Sequence, residues 1–236
     1  MSRTLAIMQP YFFPYLGYFQ LMNLVDEFVV YDNIQYTKKG WINRNRILVN
    51  GKDEYISVPL KKDSDFLDIK DRYLAETWPA ERKKLINKIS ENYRKAPMHK
   101  EVMPLVENCF NCEKENLFEF ILNSLEQIKV YLSIKTPLVI SSGIKADHTL
   151  KSAERVIAIC KAREATKYIN PIGGMELYSK EKFEAEKIEL NFLRSNNVIY
   201  PQLNNEFIPY LSILDVMMFN NKNKIEEFLN KEFILE

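Results

Sequence analysis

Aromatic and polar side chains that could bind a sugar or a base are concentrated near the beginning of the chain. The run Met8-Gln-Pro-Tyr-Phe-Phe-Pro-Tyr-Leu-Gly-Tyr-Phe places three tyrosines between two prolines and a glycine, which fix the path of the backbone. Tyrosine rings are flat, low-entropy contact surfaces with a polar tip. We therefore expect a substrate to contact Gln9, Tyr11, Tyr15 and Tyr18.

A second run, from Tyr31 to Ile47, is rich in cations and amides. Arginine holds a phosphate by bidentate contact, whereas lysine acts as a point charge. Substrate-binding candidates in this run are Gln35, Tyr36, Lys38, Trp41, Arg44, Asn45 and Arg46, and Asp32 is a candidate general base. The alternative is that the aromatic residues belong to the core and the Lys38-Lys39 pair to a solvated turn.

Three further pairs could contact an anion or a ligand backbone. Lys61 and Lys62 follow an extended segment and could clamp a phosphate. Glu154 and Arg155 open a predicted helix, where an arginine is unfavourable unless an anion compensates it. After a short strand, the backbone amides of Gly173 and Gly174 could approach a ligand.

Histidine and cysteine chemistry is limited. The chain has two histidines, which excludes a multi-histidine metal site, and His148, on a connecting loop, is the better general-base candidate. His99 receives no role. Cys109 and Cys112 form a C-x-x-C pattern without a partner pair, so we predict no metal site, and the three cysteines predict no disulfide framework.

The charge balance excludes a general electrostatic attraction to nucleic acid or membranes. Lysine and arginine total 33 against 32 aspartates and glutamates, a formal charge of +1. The first apolar run is too short for a signal peptide, and no stretch approaches the roughly 18 apolar residues of a membrane span. A cytoplasmic protein is expected.

The hydrophobic pattern at the start of the chain predicts a βαβ unit. Thr4 to Met8 and Glu27 to Tyr31 are apolar strands, and Leu16 to Val25 between them has helical spacing. Parallel strands place their following loops at the same edge of the sheet, where ligands bind. Gln9, Tyr11, Asp32, Lys38 and Arg44 are therefore expected to line one pocket.

The remaining pattern predicts a hairpin, a helical block and a return to strand-helix alternation. Asn43 to Val49 and Glu54 to Val58 flank Asn50-Gly51, a strong hairpin turn signal. Helical spacing covers about residues 79–132, and short strands alternate with helices from Leu138 to Leu193. We predict an α/β fold with a mainly parallel sheet, and one domain over residues 1–236.

The same residues resemble the WbqC-like family, whose members recur in gene clusters for O-antigen and related surface glycans. The similarity runs through Met8-Gln-Pro-Tyr-Phe, Gly40-Trp-Ile-Asn-Arg-Asn-Arg, Val58-Pro-Leu-Lys-Lys, Tyr93-Arg-Lys-Ala-Pro, Glu154-Arg-Val-Ile-Ala-Ile-Cys-Lys, Gly173-Gly, Tyr200-Pro-Gln, Phe207-Ile-Pro and Leu211-Ser-Ile-Leu-Asp. It covers nearly the whole chain. Members are sometimes labelled glycine transferases or sugar-modifying transferases, which implies a role in O-antigen or lipopolysaccharide biosynthesis.

A weaker resemblance links the first loop to the nucleotidyltransferase-like α/β enzymes, pantothenate synthetase among them. Those enzymes carry a His-x-Gly-His motif at the start of the first helix, where this chain has Tyr15 and Tyr18. Their histidines act on ATP phosphates. The resemblance thus implies a Rossmann-like fold, while the tyrosines depart from the adenylylation motif.

Together, these features favour an amide-forming transferase that places an acyl or aminoacyl group on a nucleotide-linked amino sugar. The expected partners are this sugar and a small acyl or amino-acid donor, activated either by ATP with Mg or before it arrives. The alternatives are a nucleotidyltransferase and a non-catalytic accessory protein that binds a nucleotide sugar.

Overall fold

The computed structural model describes residues 2–203 and 206–236. Its strands are β1 (Thr4–Met8), β2 (Glu27–Val30), β3 (Arg44–Val49), β4 (Lys52–Ser57), β5 (Leu138–Ile140), β6 (Lys167–Pro171), β7 (Glu189–Ser195) and β8 (Phe233–Leu235). Its helices are α1 (Leu16–Leu24), α2 (Trp78–Tyr93), α3 (His99–Phe110), α4 (Leu117–Tyr131), α5 (Ser152–Ala162), α6 (Lys180–Ala185), α7 (Ile213–Phe219) and α8 (Lys222–Lys231). None of the helices described in these two ranges is long and apolar enough to cross a membrane.

The central sheet has the order β5-β2-β1-β6-β7-β8. Its first five strands are parallel, and β8 pairs antiparallel with β7. This arrangement confirms the predicted α/β fold with a mainly parallel sheet. The chain starts at β1, moves outward through β2 to β5, and then returns to place β6 on the other side of β1. The strand order therefore reverses between β1 and β6, a doubly wound pattern whose switch point is a frequent ligand site.

Strand residues alternate between two cores, one on each face of the sheet. Leu5, Ile7 and Val29 pack in the core that contains α5 and α6, whereas Ala6 and Val30 pack in the larger core formed with the other helices. Burial on both faces explains why β1 and β2 are continuous apolar runs.

The predicted β-hairpin is present, and its turn has the geometry that the sequence favours. Asn50 and Gly51 both have positive φ angles, 50° and 76°, as a type I′ turn requires. Strands β3 and β4 form a separate two-stranded sheet. Asn45 and Ile56, a cross-strand pair, are buried on the inner face, while Arg44 and Arg46 lie on the outer face.

Two elements were not predicted as separate elements. Helix α3 contains Pro104, which interrupts the helical pattern because proline cannot donate a backbone hydrogen bond. Strand β8 has three residues, too few for a periodic signal, and it is fixed by pairing with β7 in the register Leu193 with Leu235.

A buried carboxylate joins α7 to the rest of the larger core. Asp215 is fully buried and accepts hydrogen bonds from the Tyr93 hydroxyl at 2.8 Å, the Tyr200 hydroxyl at 2.7 Å and the Gln202 amide at 2.7 Å. Burial raises the pKa of Asp215, and these three hydrogen bonds partly oppose the shift. The carboxylate therefore connects the end of α2, the segment that follows β7, and α7.

Replacing Asp215 by alanine should destabilise the protein because it leaves two buried hydroxyls and an amide without their acceptor. We expect the Asp215→Ala variant to lose about 3–5 kcal/mol of unfolding free energy, measured by urea denaturation. The control is Glu226→Ala, since Glu226 is an exposed carboxylate of α8, and its stability should change by less than about 0.5 kcal/mol. Similar midpoints for the two variants would contradict a structural role of Asp215.

Candidate functional site

The candidate site lies beside the loop that follows β1 at the carboxyl edge of the parallel sheet. This loop, residues 9–15, leads into α1, and the segment that follows β2 leads through residues 31–43 into the hairpin. The Phe12 amide donates a hydrogen bond to the Trp41 carbonyl at 3.0 Å, so the two segments are in contact. The structure therefore brings together the two residue runs that the sequence singled out.

A cavity of about 170 Å³ opens between these segments. Its wall is formed by Tyr11, Pro14, Tyr15, Trp41, Asn45, Arg46 and Tyr210. Four of these seven side chains are aromatic. An apolar cavity of about 150 Å³ holds one benzene ring, so this cavity is the size of a single six-membered ring.

The path of the first loop is fixed by side chains from distant parts of the chain. The Asn45 amide donates to the carbonyls of Phe12 and Phe13 at 3.0 and 2.9 Å, and the Ser212 hydroxyl donates to the Phe13 carbonyl at 2.7 Å. Phe13 has a φ angle of 44°, a conformation that a phenylalanine adopts only where its surroundings enforce it. Hydrogen bonds to its carbonyl supply this constraint.

Tyr15 forms its part of the wall because no side chain is present at position 17. Tyr15 is the N-cap of α1 with an extended backbone, and a Cβ atom at Gly17 would overlap the Tyr15 ring. Burial raises the pKa of the Tyr11 and Tyr15 hydroxyls. At neutral pH both hydroxyls therefore remain protonated and can donate hydrogen bonds to a ligand.

Arg46 brings positive charge to the cavity. One of its terminal nitrogens donates to Asp53 at 2.8 Å, the other reaches the Tyr210 carbonyl at 3.5 Å, and its guanidinium lies 5.6 Å from the Trp41 ring centroid. Its Nε is buried and has no hydrogen-bond partner among the residues described.

Two predicted ligand-contacting tyrosines lie in the core instead. Tyr18 is 1% exposed, and its hydroxyl donates to the Gln9 carbonyl at 3.0 Å. Tyr36 is 7% exposed, and its hydroxyl donates to the Asn43 side chain at 2.8 Å. Their burial leaves no ring face for a sugar, so their role is to support the loops. Asn45 is also buried, and its amide is engaged with the loop carbonyls.

The two candidate general bases are engaged in hydrogen bonds between loops. Asp32 is 2% exposed, and its carboxylate accepts from the Ser142 amide and hydroxyl at 2.9 and 2.6 Å. His148 Nε2 lies 2.9 Å from the Ile144 carbonyl, and Nδ1 lies 3.2 Å from the Asn33 amide nitrogen. His148 would have to release the Asn33 amide to accept a proton at Nδ1, whereas each Asp32 oxygen accepts one of these bonds and keeps a second lone pair.

The cations of the second run differ in what they contact. Lys38 forms an exposed ion pair with Asp65 at 2.7 Å, and Gln35 donates to the Asp65 carbonyl at 2.9 Å. Arg44 donates to the carbonyls of Lys39 and Gly40 at 2.7 and 3.1 Å. Five residues were expected to line one pocket, and of these Tyr11 lies in the wall of this cavity. Gln9 is half-buried and lies outside this wall, and Asp32, Lys38 and Arg44 are held by the contacts described above.

The other predicted residues lie outside the wall of the aromatic cavity. Lys61 lines a different cavity of about 350 Å³ with Trp78 and Arg82, and its neighbour Lys62 is exposed. Glu154, on α5, is exposed and lines a shallow surface cavity.

Arg155 and the glycine pair have structural contacts that explain their residue types. The Arg155 guanidinium donates to the Asn33 carbonyl at 2.7 Å and lies 4.9 Å from the Tyr31 ring centroid. A Cβ atom at Gly174 would overlap the Asn170 side chain, whereas one at Gly173 would have no atom within 4 Å. Of these two positions, close packing therefore requires glycine at position 174 and not at position 173.

Sequence reasoning missed Tyr210, which contributes the part of the wall next to Tyr15. The two ring centroids are 6.4 Å apart with an interplanar angle of 72°. Tyr210 has a φ angle of 56° and is 58% exposed. Its position directly after Phe207-Ile-Pro, a stretch that carries the family resemblance, was the available signal.

A substitution at Gly17 should reshape the cavity without unfolding the protein. In Gly17→Ala, the Tyr15 ring must move away from the new methyl group, while alanine favours the helix by up to about 1 kcal/mol. A crystal structure should show the displaced ring, and thermal denaturation should show stability within about 1 kcal/mol of the wild type. Gly173→Ala is the matched control, because its Cβ meets open space. An unmoved Tyr15 ring in Gly17→Ala would contradict this explanation of the glycine.

Comparison with known proteins places the chain in a family. No solved structure matches it significantly. A protein of Mycobacterium tuberculosis named "Uncharacterized protein Rv1507c" is 30% identical over 234 residues, which cover 96% of this chain and 97% of the relative. The model of the WbqC-like protein family matches residues 9–227, a range that includes every residue of the cavity wall. The chain therefore belongs to the WbqC-like protein family.

Proposed function

We propose that this protein is a transferase that forms an amide bond on a nucleotide-linked amino sugar. The transferred group is an acyl or aminoacyl group, with glycyl as the form that the family labels suggest, and the product enters bacterial surface-polysaccharide biosynthesis. The observation that carries the proposal is the aromatic cavity, one ring in size, beside the first loop at the carboxyl edge of a doubly wound sheet. Ligands of such sheets bind at this edge.

A sugar ring fits the chemistry of the cavity wall. The rings of Tyr11, Tyr15, Trp41 and Tyr210 provide apolar surface, and protonated tyrosine hydroxyls can donate hydrogen bonds to the sugar oxygens. The cavity volume of about 170 Å³ matches one sugar ring, and the cavity is open on one side, so the rest of a linked substrate can extend out of it.

Positive charge next to the cavity suits the phosphates of a nucleotide-linked sugar. Arg46 lies in the wall, and Arg44 lies two residues earlier on the same face of the hairpin. Since the chain as a whole carries a formal charge of +1, binding of a diphosphate depends on local cations of this kind.

Removal of a proton from the attacking amine is assigned to Asp32 or His148. Asp32 has lone pairs beyond those that accept from Ser142, but it is 2% exposed, so the amine would have to reach a buried carboxylate. For His148, proton transfer requires the Asn33 amide to release Nδ1. Substrate binding would then have to compensate for the lost hydrogen bond. The acyl donor is activated either by ATP with Mg or before it binds.

A nucleotidyltransferase is the second candidate, and the strand order favours it. The order β5-β2-β1-β6-β7 is typical of nucleotide-binding doubly wound sheets. The burial of Tyr18 in the position of the second motif histidine argues against the same phosphate chemistry. The third candidate is an accessory protein that binds a nucleotide sugar without turnover.

Mass spectrometry of reaction mixtures distinguishes these functions. The protein is mixed with a nucleotide-linked amino sugar, ATP, Mg and glycine, and in parallel with a preactivated acyl donor in place of ATP and glycine. The transferase predicts an amide product whose mass rises by the acyl or glycyl group. Pyrophosphate release without an amide would favour the nucleotidyltransferase, and binding without any product would favour the accessory role.

The affinity for a nucleotide-linked amino sugar should depend on Arg44. We expect Arg44→Ala to weaken binding by about 1.5–3 kcal/mol, the scale of a charge-assisted hydrogen bond, and Arg44→Lys to recover part of this loss because it lacks the planar fork. Calorimetric titration measures both. Because Arg44 also holds two loop carbonyls, Arg44→Ala should lose about 1–2 kcal/mol of stability, more than an exposed arginine would.

Lys52→Ala is the matched control for charge, since Lys52 is an exposed cation of the same hairpin on β4. Its affinity for the nucleotide-linked sugar should equal that of the wild type. If Arg44→Ala also binds like the wild type, the phosphate role passes to Lys61 and Lys62 or is abandoned.

A further inference from the structure

The outer face of the hairpin carries an aromatic residue that lies outside the cavity wall. Tyr55 of β4 is directly opposite Arg46 of β3. Side chains two residues apart on a strand share a face, so Arg44, Arg46 and Tyr55 lie on the same side of the hairpin. The other face is buried through Asn45 and Ile56.

Tyr55 and Trp41 form a stacked pair on this outer face. Their ring centroids are 6.2 Å apart, and their planes differ by 24°. Each ring also has a guanidinium over it, Arg44 at 4.8 Å from the Tyr55 centroid and Arg46 at 5.6 Å from the Trp41 centroid. Despite these contacts, Tyr55 is 50% exposed and Trp41 is 37% exposed. About half of Tyr55 and about a third of Trp41 therefore remain accessible to a ligand, in addition to the contacts with the arginines.

The charge of this cluster is positive. The Arg46 guanidinium pairs with Asp53 at 2.8 Å, whereas Arg44 forms no ion pair with any carboxylate in residues 2–203 and 206–236. One cation adjacent to the ring pair is thus left without a counterion from the protein. A ligand with a planar group and a neighbouring negative charge complements such a surface.

The ring pair is continuous with the cavity, because Trp41 and Arg46 belong to both. A nucleotide-linked sugar has the same order of parts, a sugar ring, a diphosphate and a base. With the sugar in the cavity, the diphosphate would lie near the two arginines and the base would reach Tyr55.

We infer that Tyr55, together with Trp41, is the stacking platform for the base of the nucleotide-linked substrate. This inference rests on the proposed function, in that it takes the substrate to be a nucleotide-linked sugar. It adds a binding residue and assigns separate parts of the substrate to the cavity and to the hairpin face. Because stacking tolerates any base, the platform selects for a nucleoside diphosphate over a simple sugar phosphate.

Tryptophan fluorescence provides the test, because the chain has two tryptophans and Trp78 is only 5% exposed. A base that stacks near Trp41 should change the emission. The protein is titrated with UDP, dTDP, GDP and CDP, and with inorganic pyrophosphate, which has the charge without the base. Since pyrophosphate need not alter the emission, calorimetry measures its affinity.

We expect at least one nucleoside diphosphate to bind, and Tyr55→Ala to weaken this binding by about 10- to 100-fold, the usual effect of losing one base–aromatic stack. Tyr55→Phe keeps the ring and should bind within about twofold of the wild type. The affinity for pyrophosphate should be the same in all three proteins. The matched control is Tyr73→Ala, since Tyr73 is 45% exposed and has Lys61 at 5.8 Å over its ring, but lies outside the hairpin.

Three results would overturn the inference. The first is that Tyr55→Ala binds the nucleotides with wild-type affinity. The second is that Tyr55→Ala loses nucleotide and pyrophosphate affinity equally, which would indicate a disturbed hairpin. The third is that none of the four nucleotides binds to the wild type.

The amide assay distinguishes a failure of the platform from a failure of the proposed function. Loss of nucleotide binding in Tyr55→Ala with no amide product in the wild type keeps the platform and removes the transferase. An amide product with an unchanged KM in Tyr55→Ala keeps the transferase and removes the platform.

Discussion

The Asn45 side chain makes the interaction on which the candidate site depends. Its amide donates to two consecutive carbonyls of the first loop, those of Phe12 and Phe13. Two backbone hydrogen bonds extend this connection, since the Ser212 amide donates to the Arg46 carbonyl and the Ile213 amide donates to the Pro14 carbonyl. Loop, hairpin and the start of α7 are thus held together by polar contacts at a place where no sheet ladder continues. These contacts place the aromatic residues of the loop, the hairpin and the segment before α7 around one cavity.

The fold was largely predictable because its signals are local. The bounds of β1 agree with the expected strand Thr4 to Met8, and the Asn50-Gly51 turn follows from its residue types. The directions of the side chains in the first loop could not be predicted as well from the sequence. Tyr15 and Tyr18 are three residues apart, a spacing that shares a face on a helix. Tyr15, however, is an N-cap with ψ of 169°, so its ring leaves the helical pattern and reaches the cavity, while Tyr18 points into the core.

The partners of the cations could not be predicted from the sequence either. Lys38 and Arg46 pair with the carboxylates of Asp65 and Asp53, whereas Arg44 donates to two backbone carbonyls and lies over the Tyr55 ring. The sequence groups all three in one basic run, although their surroundings differ. The place of Tyr210 in the wall could not be predicted for a similar reason, because Tyr210 contacts Tyr15 although it lies almost two hundred positions later in the chain. No periodic pattern encodes such a contact.

The short strand β8 has a consequence for how copies of the protein meet one another. An unpaired strand edge offers a row of amide and carbonyl groups to any other extended chain, which promotes association between sheets. The edge of β7 is covered by β8, with reciprocal hydrogen bonds of 2.8 and 2.9 Å between Phe192 and Glu236 and an ion pair between Arg194 and Glu236. The two edge strands of the sheet are then β8 and β5, and each has only three residues. The sheet therefore presents little free edge to a neighbouring molecule, and a tag that peels the last four residues away from β7 would restore one.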